Sequence, residues 1–296
     1  MTESSAELNE TQVSDSTAAA NPGDAVIVAR GLSKTYTLHS GLIADVLGRS
    51  EAVAAVSDVD LAVGRGEVVA LVGQSGSGKS TLGRLLVRLE DPTGGTIQFN
   101  GADVTTIRGK RLRAYRRDAQ IIFQNPYESL DPRYTIGMTV GEPLALFGIG
   151  NRRERAERVQ AVLADVGLQP VERYVHAHPH ELSGGQRQRV SIARALVAEP
   201  SLIVADEPVS MLDASVRSGI MNLLLDLQDA NGISCVFITH DIAAARYMSQ
   251  RVAVMHAGRI VEQGSTDDLI ENPQHSYTQK LIDAASVNEP GHAPAS

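Results

Sequence analysis

The chain has 296 residues, 43% of them hydrophobic and 21% charged, the proportions of an ordinary soluble globular protein with enough apolar surface for a sizeable core. A net charge of −8 gives no global attraction to nucleic acid or to an anionic membrane surface, and a single cysteine excludes an intrachain disulfide and any multi-cysteine zinc or iron–sulfur site. No stretch approaches the roughly 18 consecutive apolar residues of a membrane-spanning helix, and the N-terminus lacks the basic-then-apolar pattern of a secretory signal.

In chain order, residues 1–24 carry five acids and no Lys or Arg. Such a segment cannot bury enough apolar area to offset its ordering entropy, so it reads as a disordered tail. Order is expected from Ala25-Val-Ile-Val28, a short strand-like run. Residues 38–50, with Leu42, Ile43, Val46 and Leu47, form an apolar insertion suited to core or partner packing. Glu67-Val-Val-Ala-Leu-Val72 then reads as a buried strand that runs directly into Gly73-Gln-Ser-Gly-Ser-Gly-Lys79-Ser80 and a helical run from Thr81 to Val87. This is the G-x-x-x-x-G-K-[ST] pattern in its required strand–loop–helix setting. Gly73, Gly76 and Gly78 let the backbone curl around phosphates with its N–H groups inward, and the helix dipole adds to the field. Lys79 would reach the β- and γ-phosphates, and the Ser80 hydroxyl would bind Mg²⁺.

Asn100-Gly101 after Thr96-Ile-Gln-Phe99 predicts a hairpin, hence some antiparallel structure. Arg108 to Arg117 holds six basic residues in ten, read as a solvated helix face because no aromatic stacking platform accompanies it. Arg152 to Gly167 places Val159, Val162, Leu163 and Val166 at helical spacing, as in a separate helical lobe. A Ser183-Gly184-Gly185 start to a long helix is a second anion-binding helix terminus with no simple role in one phosphate site. Ser201-Leu-Ile-Val-Ala205 ends at Asp206-Glu207, and Cys235-Val-Phe-Ile-Thr239 ends at His240. Both are continuous apolar runs, as expected of strands covered on two faces of a parallel sheet. Ligands of such sheets gather at the carboxyl ends of the strands. Asp206 is therefore expected to hold Mg²⁺, Glu207 to orient or deprotonate an attacking water, and His240 to contact the γ-phosphate. Cys235 reads as a buried small hydrophobe, Met221 to Asp229 as a helix, and residues 286–296 as a loose end.

The run Leu182-Ser183-Gly184-Gly185-Gln186 resembles the signature motif of the ATP-binding-cassette superfamily, and the resemblance covers about residues 25–285. It implies an α/β chain: a P-loop NTPase (RecA-like) core sheet with an antiparallel β subdomain and an inserted α-helical subdomain at about 127–194. The cassette would span 25–270, with a family-type C-terminal tail over 271–296. In that family two cassettes stack head to tail, each signature closing over ATP held by the other. The implied ATP contacts are Tyr36 on adenine, the cradle residues Gly73, Gln74, Ser75, Gly76, Ser77, Gly78, Lys79, Ser80 and Thr81, and from the facing copy Ser183, Gly184, Gly185 and Gln186. Gln124 matches the glutamine that senses the γ-phosphate and Mg²⁺, Asp213 the aspartate that communicates across the dimer, and Glu207 and His240 the catalytic carboxylate and switch histidine.

Asn125-Pro-Tyr-Glu-Ser-Leu-Asp-Pro-Arg133 and the tail Asn272-Pro-Gln-His275-Ser-Tyr277-Thr278 are similar to those of dipeptide and oligopeptide importers, with Ser276 in place of a proline. This implies an ATP-hydrolysing subunit at the cytoplasmic face of the inner membrane. Its partners would be two permeases, a second related ATPase in a heterodimer and an extracytoplasmic binding protein, with no nucleic acid. Nickel, glutathione or oligosaccharide uptake is the alternative within the group. A soluble cassette ATPase acting on DNA or ribosomes, or an exporter motor, is the rival outside it.

Overall fold

The computed structural model describes residues 24–38 and 51–287. The expected acidic tail, up to residue 23, the apolar insertion from residue 39 and the segment 288–296 lie outside the described residues.

Among the described residues the strands form two sheets. In the first, β1 (Ala25–Leu38), β2 (Glu51–Gly64), β4 (Gly94–Phe99) and β5 (Ala102–Asp103) pair antiparallel in the order β2-β1-β4-β5. Asn100 and Gly101, both at positive φ (49° and 77°), join β4 to β5 as the predicted two-residue hairpin. In the second, β3 (Val68–Val72), β6 (Ala119–Ile122), β7 (Leu202–Asp206), β8 (Ser234–Thr239), β9 (Arg251–His256) and β10 (Arg259–Ser265) lie in the order β10-β9-β3-β8-β7-β6, parallel except for β10.

Every residue of β3, β7 and β8 is buried, the condition that makes these sequences continuous apolar runs. Successive side chains enter opposite cores. Val69, Leu71, Val204, Val236 and Ile238 pack with the helix Lys79–Leu86 and the antiparallel sheet, whereas Val68, Ile203, Ala205, Cys235 and Phe237 pack with the helix Gly184–Leu196 and its neighbours. Cys235 is buried as expected, and burial pushes its thiol up to about 12, far from a nucleophile's range.

Register positions the site. Val72 pairs with Thr239, and Asp206 with Ile238, so the carboxyl ends of β3, β7 and β8 finish side by side. Helices from Pro126 to Leu196 fill the connection between β6 and β7. One of them, Arg152–Asp165, starts in a capping box made by Asn151 and Glu154 and buries Val159, Val162 and Leu163, as its spacing predicted. Part of the basic face on the helix Gly109–Asp118 is structural: Arg116 donates to the Arg88 carbonyl, and Arg108 pairs with Asp91. After β10 come the helices Thr266–Glu271 and Ser276–Val287. Helix therefore persists through residues 286 and 287, where a loose end was expected. No described helix is long and apolar enough to cross a membrane.

Candidate nucleotide-binding site

The turn Gly73–Ser80 leaves the buried end of β3 and feeds the helix Lys79–Leu86. Gly73 (φ 155°) and Gly78 (φ 104°) are required twice over. Their backbone conformation disfavours side chains, and a Cβ would strike the backbone carbonyls of Met255 and Ala55 respectively. Gln74, Ser75 and Gly76 form the exposed rim, while Ser77 and Lys79 are buried. Lys79 Nζ donates to the carbonyls of Gly73 at 2.7 Å and Gln74 at 2.9 Å, folding its ammonium into the concave side of the turn. Burial lowers its pKa, and Glu207 and Asp206 oppose that shift. The Ser77 hydroxyl is buried and has no hydrogen-bond partner among the described residues, so the cradle contains an unfilled polar position.

Ser80 Oγ donates to Asp206 Oδ1 at 2.8 Å, across 126 residues of sequence. Asp206 is buried and its pKa is raised by that burial, against the lowering effect of the Ser80 bond. The next residue, Glu207, adopts a positive φ of 46°, and its N–H donates to the Ile238 carbonyl on β8 at 3.0 Å. A carboxylate residue held in this sparsely populated region by a neighbouring strand is a common mark of a functional turn. Its Oε2 accepts from Gln124 Nε2 at 2.9 Å and lies 3.3 Å from His240 Nδ1. Gln124, just past the end of β6, also reaches Ser210 Oγ at 3.4 Å. A cleft of about 330 Å³ opens beside Glu207 and His240, lined also by Ser210, Arg217 and Tyr247.

The structure thus gathers Lys79, Ser80, Asp206, Glu207, Gln124 and His240 at one edge of the sheet. Gln124 meets Glu207 with its amide nitrogen. Tyr36, on β1, directs its hydroxyl to Glu90 and Thr81, and Lys34 Nζ stands 5.1 Å from its ring centroid. Asp213 occupies the N-cap position of the helix Ala214–Asn231 without using its side chain as a cap. The signature residues stand apart, at the start of the helix Gly184–Leu196 on the other face of the sheet. There Ser183 Oγ accepts from Gln186 N at 3.3 Å and Gln186 Oε1 accepts from Ser183 N at 2.9 Å, while Gln186 Nε2 donates to Tyr174 at 3.1 Å. The Gln186 side chain is therefore committed within its own chain. No site role was read from sequence for Glu90, Ser210 or Tyr277; Glu90 meets Tyr36 across 54 residues, Ser210 meets Gln124 across 86 as well as the nearby Glu207 carbonyl, and Tyr277 meets Gln74 across 203.

Comparison with known proteins gives a consistent picture. The family profile "ABC transporter" matches residues 56–210, and "Oligopeptide/dipeptide transporter, C-terminal region" matches 261–295. The glutathione import ATP-binding protein of Salmonella choleraesuis is 47% identical over 288 residues, covering 97% of this chain and 45% of the relative. Its namesake from Shigella flexneri serotype 5b is 50% identical over 268 residues, covering 90% and 42%. The chain thus spans under half the length of these curated relatives. Among solved structures, a dimeric ATP-binding cassette in a post-hydrolysis state bound to ADP and Pi superposes with a TM-score of 0.71 at 32% identity, covering 81% of this chain and 98% of that one. The cbiO1 protein of Clostridium perfringens, part of an ABC transporter complex, gives 0.71 at 28% identity, covering 90% and 96%.

Proposed function

Because the chain belongs to the ABC transporter family, we propose that it is the ATP-binding and hydrolysing subunit of an importer, coupling ATP-driven closure of a cassette pair to uptake of dipeptides and oligopeptides. The observation that carries this reading is the meeting of Gln124, Glu207 and His240 beside Lys79 and the Ser80–Asp206 pair. A triphosphate in the cradle would replace the two carbonyls as the partner of the Lys79 ammonium, and the buried, unpartnered Ser77 hydroxyl would serve a phosphate oxygen. The Ser80 hydroxyl and the Asp206 carboxylate are hard oxygen donors 2.8 Å apart, a pair that fits Mg²⁺. When bound there, Mg²⁺ would neutralise phosphate charge. Glu207 accepts the proton of the attacking water, with Gln124 and His240 fixing its carboxylate. Adenine would stack on Tyr36.

The signature and the cradle helix cover opposite faces of one sheet. This supports a reading in which Ser183, Gly184 and Gly185 grip the γ-phosphate on a facing cassette and Asp213 communicates across the pair. The remaining partners are two permeases, engaged through the segment from Gln124 to Arg133, and an extracytoplasmic binding protein. A heterodimer with a related ATPase at the cytoplasmic face of the membrane completes the assembly. The match over 261–295 supports peptide cargo; the names of the relatives favour glutathione, itself a tripeptide, as the second reading.

Glu207→Gln tests the mechanism. ATP binding is expected to persist while turnover falls about 100-fold or more, leaving an ATP-dependent dimer. Wild-type turnover in that variant removes the assigned role. Competition between labelled dipeptide and glutathione for uptake separates the two cargo readings.

A further inference from the structure

The turn that builds the cradle is held from outside as well as from within. The Gly73–Gln74 peptide unit has both of its polar atoms engaged. Its carbonyl accepts from Lys79 Nζ at 2.7 Å, and its N–H donates to the hydroxyl of Tyr277 at 3.0 Å. Tyr277 belongs to the C-terminal helix Ser276–Val287, 203 residues from Gln74. Its ring stacks on His256 at the end of β9, centroids 3.9 Å apart and planes inclined by 28°. His275 Nδ1 accepts from the Tyr277 N–H at 3.1 Å, and Glu262 on β10 accepts from the N–H groups of Gln274 and His275 at 2.8 and 3.0 Å, so the approach to this helix is itself anchored. The same β9–β10 turn supports the cradle elsewhere: Gly258 N–H donates to the Ser77 carbonyl at 3.0 Å, and Met255 abuts Gly73.

A peptide unit is planar, so fixing its N–H direction fixes its carbonyl direction as well. We propose that Tyr277 is a positioning residue of the phosphate cradle: its hydroxyl orients the Gly73–Gln74 peptide whose carbonyl holds Lys79, so the C-terminal helix sets how the ammonium is presented to a nucleotide. The proposal rests on the nucleotide reading above. It adds to that reading a chemical task for the C-terminal segment, which otherwise contributes no residue to the site. Without the hydroxyl the peptide can rotate, the Lys79 ammonium loses its fixed starting position, and part of the binding free energy goes into re-ordering the turn.

Tyr277→Phe removes the hydroxyl and keeps the ring stacked on His256. In the nucleotide-free chain, amide exchange across Gly73–Lys79 is expected to accelerate. The dissociation constant for ATP should rise about two- to tenfold, the worth of one hydrogen bond, with kcat at saturating ATP unchanged. Asp283→Asn, an exposed change on the same helix, should alter neither. Unchanged exchange across the turn overturns the proposal, as does accelerated exchange with wild-type ATP affinity. Failure of the wild-type chain to bind ATP at all would instead overturn the nucleotide reading, which the exchange measurement does not depend on.

Discussion

Two glycine-rich turns open helices in this chain, and they are finished in opposite ways. The turn Gly73–Ser80 is closed by its own protein: Lys79 folds back onto the carbonyls of Gly73 and Gln74, Ser80 is tied to Asp206, and Tyr277 holds the outer side. The turn at Ser183–Gln186 closes a capping box on itself and reaches beyond it through Gln186 to Tyr174, with Ser183 exposed. The first is a pocket prepared on three buried strands; the second is a helix tip carrying free N–H dipoles outward. On the reading proposed above, a pocket of the first kind would bind ligand in one copy of the chain, whereas a tip of the second kind would act on what another molecule brings to it.

The largest effect should come from breaking the cradle. Lys79→Ala removes the only side-chain cation folded into the turn among the described residues and should weaken ATP binding by about 100-fold or more, measured by calorimetry on the isolated chain. Unchanged affinity would erase the distinction between the two turns. Ser183→Ala is expected to act differently. ATP affinity of the single chain should stay within about twofold while turnover falls roughly tenfold, and loss of the cap should cost about 1 kcal/mol of stability. If affinity fell as it does for Lys79→Ala, the signature would belong to the same site within one chain.

The smallest effect concerns stability alone. Asp206 has its pKa raised by burial, so its ionised form is disfavoured in the fold, and the stability it contributes is present at acid pH and lost as pH rises through its folded value. Asp206→Asn should therefore raise the thermal midpoint of the nucleotide-free chain at neutral pH. The gain should shrink as pH falls into the carboxylate range. A lowered midpoint at neutral pH would show that the Lys79 and Arg84 charges outweigh desolvation there.

The strands and the cradle were legible because their signals are local. Val68–Val72, Leu202–Asp206 and Ser234–Thr239 are apolar throughout, a pattern that only two-sided burial explains, and the hairpin at Asn100-Gly101 is written in two residues. Element ends were less legible. β1 continues ten residues beyond Val28, to Leu38, because its polar positions lie in a sheet whose pairing with β2 and β4 passes through several register shifts. The helix Ser276–Val287 continues past the expected loose start because Tyr277, Leu281, Ile282 and Ala285 pack beside β9 and the helix Ile242–Met248.

By itself the sequence determined where the candidate residues stand along the chain: a lysine and serine after a glycine turn, an acid pair after one apolar strand and a histidine after another. Those assignments depend on backbone geometry within a few residues, which residue type largely sets. Tertiary structure alone decided which of them touch. With β3 seated between β8 and β9, and β7 next to β8, Ser80 faces Asp206, Gln124 and His240 share the Glu207 carboxylate, and Tyr277 reaches Gln74. Strand order and register are settled by how the whole apolar set is buried, a property that no short stretch of the chain contains.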